Sequence, residues 1–167
     1  MTAVQPFSIL PLPTPMLGNL TELGYVDMTP VQAQSLPHLL ASRDVIAQAK
    51  TGSGKTAAFG ISLLHRIDPR LFLQQRFAVQ ALVLCPTREL ADQVAKELRR
   101  LARFAANIKV VILCGGMPMG PQLGSLEHGA HIVVGTPGRV IKHLAKGSLN
   151  LAGLNTLQHD EAARMLA

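Results

Sequence analysis

This chain has no tryptophan, one tyrosine and five phenylalanines, so aromatic rings make up 4% of its 167 residues. Base-stacking platforms need such rings, and a nucleic acid bound here would be gripped through its phosphates instead. Cysteine is as scarce. The two present, Cys85 and Cys114, each end an apolar strand-like run and lack metal-ligand spacing, which points to buried free thiols. The six histidines show no zinc pattern. No apolar run approaches the roughly 18 residues of a membrane span, and the N-terminus has no charged region leading into a hydrophobic stretch. The expectation is a soluble chain of a reducing, cytoplasmic compartment with no membrane partner. Charge is sparse too, at 16% of residues, but 16 Lys and Arg against 10 Asp and Glu leave a balance of +6. That sign favours a polyanionic partner such as nucleic acid. Apolar residues, at 48%, suffice for a sizeable core, and the length reads as one domain.

Glycine is placed where phosphate chemistry needs it. A short apolar run (Val45, Ile46, Ala47) leads into Ala49-Lys-Thr51-Gly52-Ser53-Gly54-Lys55-Thr56, and Ala57, Ala58, Phe59 and Ile61 then read as a helix. A strand, a glycine-rich turn and a helix opening on Gly-Lys-Thr form a phosphate-binding loop. Gly52 and Gly54 let backbone N–H groups turn inward around phosphate oxygens. The helix adds its positive end, Lys55 can reach the β- and γ-phosphates, and the Thr56 hydroxyl suits Mg²⁺. The common pattern opens with glycine where this chain has Ala49. The competing reading, a Gly/Ser/Thr-rich surface loop that binds nothing, leaves the strand–loop–helix context unexplained.

Taken in order, residues 1–13 are punctuated by Pro6, Pro11 and Pro13 and read as extended. Thr14-Pro15 reads as an N-cap and first-turn proline opening a helix that Gly24 ends, and Thr29-Pro30 repeats the device for a helix to about Leu40. Strands are expected near 44–49, 79–85, 108–114, 131–135 and 155–159, and helices near 55–67, 88–103, 118–127 and 137–146. Such βα repetition implies an α/β fold with a mainly parallel sheet and helices on both faces. In the helix after Pro86, Leu90, Val94, Leu98 and Leu101 recur at helical spacing. Its Glu89, Asp92, Lys96, Arg99 and Arg100 read as a solvated face.

Three further groups accompany the loop. Phe7, Gly24-Tyr25 and Thr29-Pro30-Val31-Gln32 lie upstream. A glutamine near a helix start can pair its amide with an adenine edge, although a lone glutamine is more often a surface residue. Pro86-Thr87-Arg88-Glu89-Leu90, Gly115-Gly116 and Thr136-Pro137-Gly138-Arg139 each follow a predicted strand, at the sheet edge where open α/β folds bind ligands. Each alone is an ordinary strand-to-helix turn; three on one edge of a basic domain suggest a nucleic-acid track. Asp160-Glu161 closes the last strand, where one carboxylate can hold Mg²⁺ and the next orient water. An acidic helix N-terminus stabilised by the helix dipole is the alternative.

Together, in this order and over nearly the whole length, these motifs resemble the DEAD-box RNA helicases of superfamily 2. That family commonly opens its phosphate loop with alanine, and its upstream aromatic matches the Phe7-to-Gly24 spacing. The resemblance implies the N-terminal RecA-like domain, residues 1–40 forming the glutamine-motif region and 41–167 a truncated phosphate-loop core. It implies that Gln32 reads adenine with Phe7 nearby, and that Thr51, Gly52, Ser53, Gly54, Lys55 and Thr56 hold ATP. Thr56 and, through water, Asp160 would serve Mg²⁺, with Glu161 activating the attacking water and Lys55 assisting. Pro86, Thr87, Arg88, Gly115, Gly116, Thr136, Gly138 and Arg139 would contact an RNA backbone. The stretches 48–60 and 82–104 look closest to a bacterial member acting on ribosomal RNA during large-subunit assembly. The expected partners are RNA and a second RecA-like domain, with the protein a monomer.

The chain departs from that family at its end. Ala163 stands where the acidic motif ends in aspartate, and Gln158 and His159 precede it where a buried central strand calls for apolar residues. The family's next strand lies between the phosphate-loop strand and the Asp160 strand, so stopping at Ala167 leaves both without that neighbour. A fragment is the expectation, inactive alone. A non-catalytic nucleotide- and RNA-binding module is the alternative. A small-molecule kinase fits less well, lacking a lid or acceptor site and leaving Pro86–Leu90 without a purpose.

Overall fold

The computed structural model describes residues 3–50, 52–68 and 79–161. Two compact units emerge: residues 1–65 with 97–106, and residues 66–96 with 107–167. Among the described residues no helix is long and apolar enough to cross a membrane.

The first unit is helical. A 3-10 turn over Phe7–Ile9 precedes α1 (Thr14–Glu22), α2 (Pro30–Leu40) and α3 (Lys55–His65). Pro13, with no capping side chain, is the residue ahead of α1, so Thr14 is its first helical residue and not its cap. At α2 the expected cap forms in full. Thr29 Oγ1 accepts from Gln32 N at 3.4 Å and Gln32 Oε1 accepts from Thr29 N at 2.9 Å, a reciprocal capping box. Leu20, Leu36, Ala58, Ile61 and Leu63 form the apolar interior of this unit. Asn19 is fixed by donating to the carbonyls of Arg100 and Leu101, at 3.2 and 3.1 Å, which end α4 (Arg88–Leu101). The Phe7 ring is buried, edge-on to Tyr25 with centroids 5.7 Å apart. Tyr25 Oη donates to Glu97, and burial with that carboxylate pushes its pKa up to about 12.

The expected strand over 44–49 does not form. These residues join no ladder among the described residues, and Ile46 is 98% exposed. Apolar β-branched residues supply propensity, but a strand exists through a neighbour that takes its hydrogen bonds.

The second unit carries the sheet: β1 (Ala81–Leu84), β2 (Val110–Leu113), β3 (Ile132–Gly135) and β4 (Thr156–His159). All pairings are parallel and the order is β2-β3-β1-β4. Helices α5 (Met119–His128) and α6 (Pro137–Lys146) cross between them. Leu82, Leu113 and Val133 pack with Leu126 of α5 and Val140 of α6 in one apolar cluster. Ala81, Val83, Ile132 and Val134, which point to the opposite face by the two-residue period, are buried as well. Burial on both faces explains why these strands read as continuous apolar runs and not as alternating ones. At Gly135 β3 meets β2 without room for a side chain: a Cβ there would lie 2.5 Å from the Leu113 carbonyl oxygen and 2.7 Å from Val140 Cγ2.

β4 pairs with β1 alone among the described strands, and Leu157 is 54% exposed. Gln158 is half-buried and His159 exposed. Ala162 and Ala163 lie outside the described residues.

Candidate functional site

In the first unit the phosphate-binding candidate is the turn between residue 50 and α3. Gly52 and Gly54 both adopt φ of +85°, the left-handed region open to glycine. Gly54 is also hemmed in. A Cβ on it would overlap the Gln32 amide nitrogen and lie 3.1 Å from Thr29 Oγ1. The reason is a hydrogen bond from Gln32 Nε2 to the Gly54 carbonyl, at 3.1 Å. Gln32 is therefore no surface glutamine: at 2% exposure it caps α2 with its oxygen and ties that helix to the turn with its nitrogen. Lys55 and Thr56 form the first turn of α3 and are half-buried, within reach of solvent and of an anion at the helix start. Among the described residues the Ser53 hydroxyl oxygen is buried with no hydrogen-bond partner. An orphaned hydroxyl, a turn around Gly52 with nothing within 4 Å of a would-be Cβ, and a helix N-terminus with a lysine suit phosphate oxygens. Thr51 lies outside the described residues, and the Phe7 ring is enclosed in the core of this unit.

In the second unit parallel pairing aligns the strand ends. Leu84 is opposite Gly135 and His159, and Leu113 is opposite Gly135. The residues that follow, from Cys85, Cys114, Thr136 and Asp160 onward, leave the sheet along one edge. Pro86 and Thr87 are half-buried and Arg88 is exposed at the start of α4, where Thr87 Oγ1 accepts from Leu90 N at 3.2 Å as a cap. Gly115 and Gly116 are exposed, and the Gly115 N–H donates to Thr136 Oγ1 at 3.2 Å, joining two turns. Gly138 is exposed. Arg139 leans back across this edge, Nη1 donating to Met117 O at 2.8 Å and to Gln122 Oε1 at 3.2 Å. Asp160 is 5% exposed and its N–H donates to Leu84 O at 2.8 Å, while Glu161 takes a left-handed φ of +52°. Non-glycine residues in that region cluster at functional sites. Beside them burial drives the Cys85 thiol up to about 12, with the Asp160 charge adding to it, so this sulfur is neutral and inert.

Sequence reading missed Gln122 and His143, which stand behind Arg139. Gln122 is one turn into the helix that follows the Gly115-Gly116 pair, and His143 is four residues after Arg139 on α6. The four-residue spacing, which puts His143 and Arg139 on one helical face, was the available signal.

Comparison with known proteins agrees with these motifs. A family model described as DEAD/DEAH box helicase matches residues 29–167. The chain is 61% identical over 166 residues to the ATP-dependent RNA helicase DbpA of Escherichia coli (strain K12), covering 99% of this chain and 35% of that protein. It is 49% identical over 160 residues to the ATP-dependent RNA helicase DeaD of Klebsiella pneumoniae, covering 96% and 24% respectively. The crystal structure of a DEAD box protein from the hyperthermophile Methanococcus jannaschii superposes with a TM-score of 0.87 at 37% identity, over 98% of this chain and 44% of that one. The chain thus spans about a third or less of the length of these two bacterial relatives. With a family model covering all but its first 28 residues, the chain belongs to the DEAD/DEAH box helicase family.

Proposed function

We propose that this chain is the first RecA-like, ATP- and RNA-binding part of an ATP-dependent RNA helicase. The observation that carries the reading is the alignment of four parallel strand ends, which gathers Thr87, Arg88, the Gly115-Gly116 turn, Thr136 and Arg139 on one edge with Asp160. Hydroxyls, backbone amides and arginines along an edge suit a phosphate backbone read by shape and charge, in keeping with the scarcity of aromatic rings. ATP supplies the phosphoanhydride bond, and Mg²⁺ the neutralisation of its oxygens. For the chain's own part, the turn from Gly52 to Gly54 and the start of α3 cradle the phosphates, Lys55 neutralises charge and Gln32 reads adenine. The hydroxyl of Thr56 and, through water, the carboxylate of Asp160 would hold Mg²⁺, both hard oxygen donors of the kind it takes. Glu161 orients a water and accepts its proton. The resemblance over 48–60 and 82–104 extends the proposal to ribosomal RNA as the substrate, bound by a cytoplasmic monomer with a second RecA-like domain.

The test is Glu161→Gln in the full-length protein that carries this chain. RNA-stimulated ATP turnover should vanish while ATP binding persists, because the amide cannot accept the water's proton. Turnover at the parent rate would remove Glu161 from its role. Binding of ATP and RNA without turnover in the parent itself would instead make this a non-catalytic module.

A further inference from the structure

Behind the Thr136–Arg139 turn runs a buried chain of hydrogen bonds that phosphate contact does not itself require. Gln122, 7% exposed, donates from Nε2 to the Cys114 carbonyl at 3.0 Å and accepts at Oε1 from Arg139 Nη1 at 3.2 Å. The amide can face only one way, since a guanidinium is purely a donor and a backbone carbonyl purely an acceptor. Oε1 also lies 2.8 Å from His143 Nε2, so that nitrogen must carry a proton. His143 Nδ1 lies 2.8 Å from Ser148 Oγ, and the single hydroxyl hydrogen there is shared between this nitrogen and the His143 carbonyl, 3.1 Å away. His143 is wholly buried.

We infer that His143 is a positioning residue for Arg139: as the Nε2–H tautomer it secures Gln122 Oε1, and that oxygen with the Met117 carbonyl orients the guanidinium for a phosphate. The inference rests on the reading of Arg139 as an RNA contact. Both Nη1 hydrogens are engaged within the protein and Nε is buried without a partner, which leaves Nη2 as the group to meet a phosphate oxygen. A free arginine loses rotamer freedom when it binds, and ordering it beforehand removes that cost from the binding step. The ring does this without adding a cation. Burial, then the charges of Arg139 and Lys146, lower its pKa and keep it neutral.

The experiment measures RNA affinity against salt in the full-length protein for Arg139→Ala, His143→Phe, His143→Gln and the double variant Arg139→Ala/His143→Phe. Phenylalanine keeps the ring and loses the donor; glutamine carries an N–H at about the reach of Nε2. Arg139→Ala should weaken RNA several-fold and flatten the log–log salt slope by about 0.7 for single strands. His143→Phe should weaken RNA by a smaller factor, His143→Gln should stay within about twofold of the parent, and His143→Phe should add nothing once Arg139 is alanine. ATP affinity should not move, which separates positioning from general loss of fold. An RNA affinity for His143→Phe equal to the parent's, or losses that multiply in the double variant, overturns the inference. Nitrogen-15 spectra of the imidazole should show the Nε2–H tautomer, and the Nδ1–H form would overturn it too, even if His143→Phe folds poorly. Unchanged RNA binding by Arg139→Ala sinks the reading of Arg139 itself.

Discussion

The side-chain nitrogen of Gln32 donates to the backbone carbonyl of Gly54 across 22 residues of sequence, at 3.1 Å. That carbonyl also accepts the Ala58 N–H at 3.1 Å, so the first turn of α3 and the cap of α2 share one oxygen. Order in the phosphate turn therefore depends on a residue outside it.

Two substitutions separate the halves of that amide. Gln32→Ala loses the capping acceptor and the bond to Gly54, and should cost about 1–2 kcal/mol of stability. Gln32→Glu keeps an acceptor for the Thr29 N–H but sets a buried carboxylate oxygen against the Gly54 carbonyl, so it should melt lower than Gln32→Ala. Equal melting temperatures would mean that the Gly54 contact is absent in solution.

Each function of the Gln32 amide keeps one unused capacity, a second hydrogen on Nε2 and a second lone pair on Oε1. That pair matches adenine N6–H₂ and N7 and opposes guanine O6. ADP should bind at least tenfold more tightly than GDP, a gap of about 1.4 kcal/mol. Calorimetry giving equal affinities would take base recognition away from Gln32.

The glycines of the turn should differ in their tolerance of a methyl group. Gly52→Ala meets open space and suffers left-handed strain alone, about 1–2 kcal/mol. Gly54→Ala adds a collision with the Gln32 amide, so it should lose more stability and nearly all ATP affinity. Denaturant melts of the two proteins compare them directly, and equal losses would mean that the turn is loose.

Acid should destabilise the fold through two buried histidines. Burial, with the Lys109 charge second, lowers the pKa of His131, and burial followed by Arg139 and Lys146 lowers that of His143. Folded values below the unfolded value of about 6.5 mean that above this pH both states are neutral and the histidines add no pH dependence. As pH falls through about 6.5 the unfolded chain gains protons that the fold resists, and stability is lost until the folded values are reached. His131 Nδ1 must also surrender its bond from Lys109 N, now 2.9 Å. His131→Asn, whose oxygen can take that N–H, should shrink the fall in melting temperature between pH 7 and 5. An unchanged pH profile would exclude His131 as a source of it.

The elements that came directly from the sequence are those whose cause is local. The Thr29–Gln32 capping box closes within four residues, and α4 declares itself through Leu90, Val94, Leu98 and Leu101 at helical spacing. The apolar runs of β1 to β3 mark strands buried on both faces, and the turns after them could be assigned to one edge because βα repetition forces parallel pairing. Residues 44–49 also hold a short apolar run, Val45-Ile46-Ala47, and form no strand among the described residues, because a ladder needs a partner that no local pattern can supply. The Gln32–Gly54 bond and the Gln122–His143 support of Arg139 link residues about 20 apart through single polar atoms. Periodicity carries no trace of such bonds, since they arise only after packing has brought distant backbone turns together and burial has made every unsatisfied donor costly.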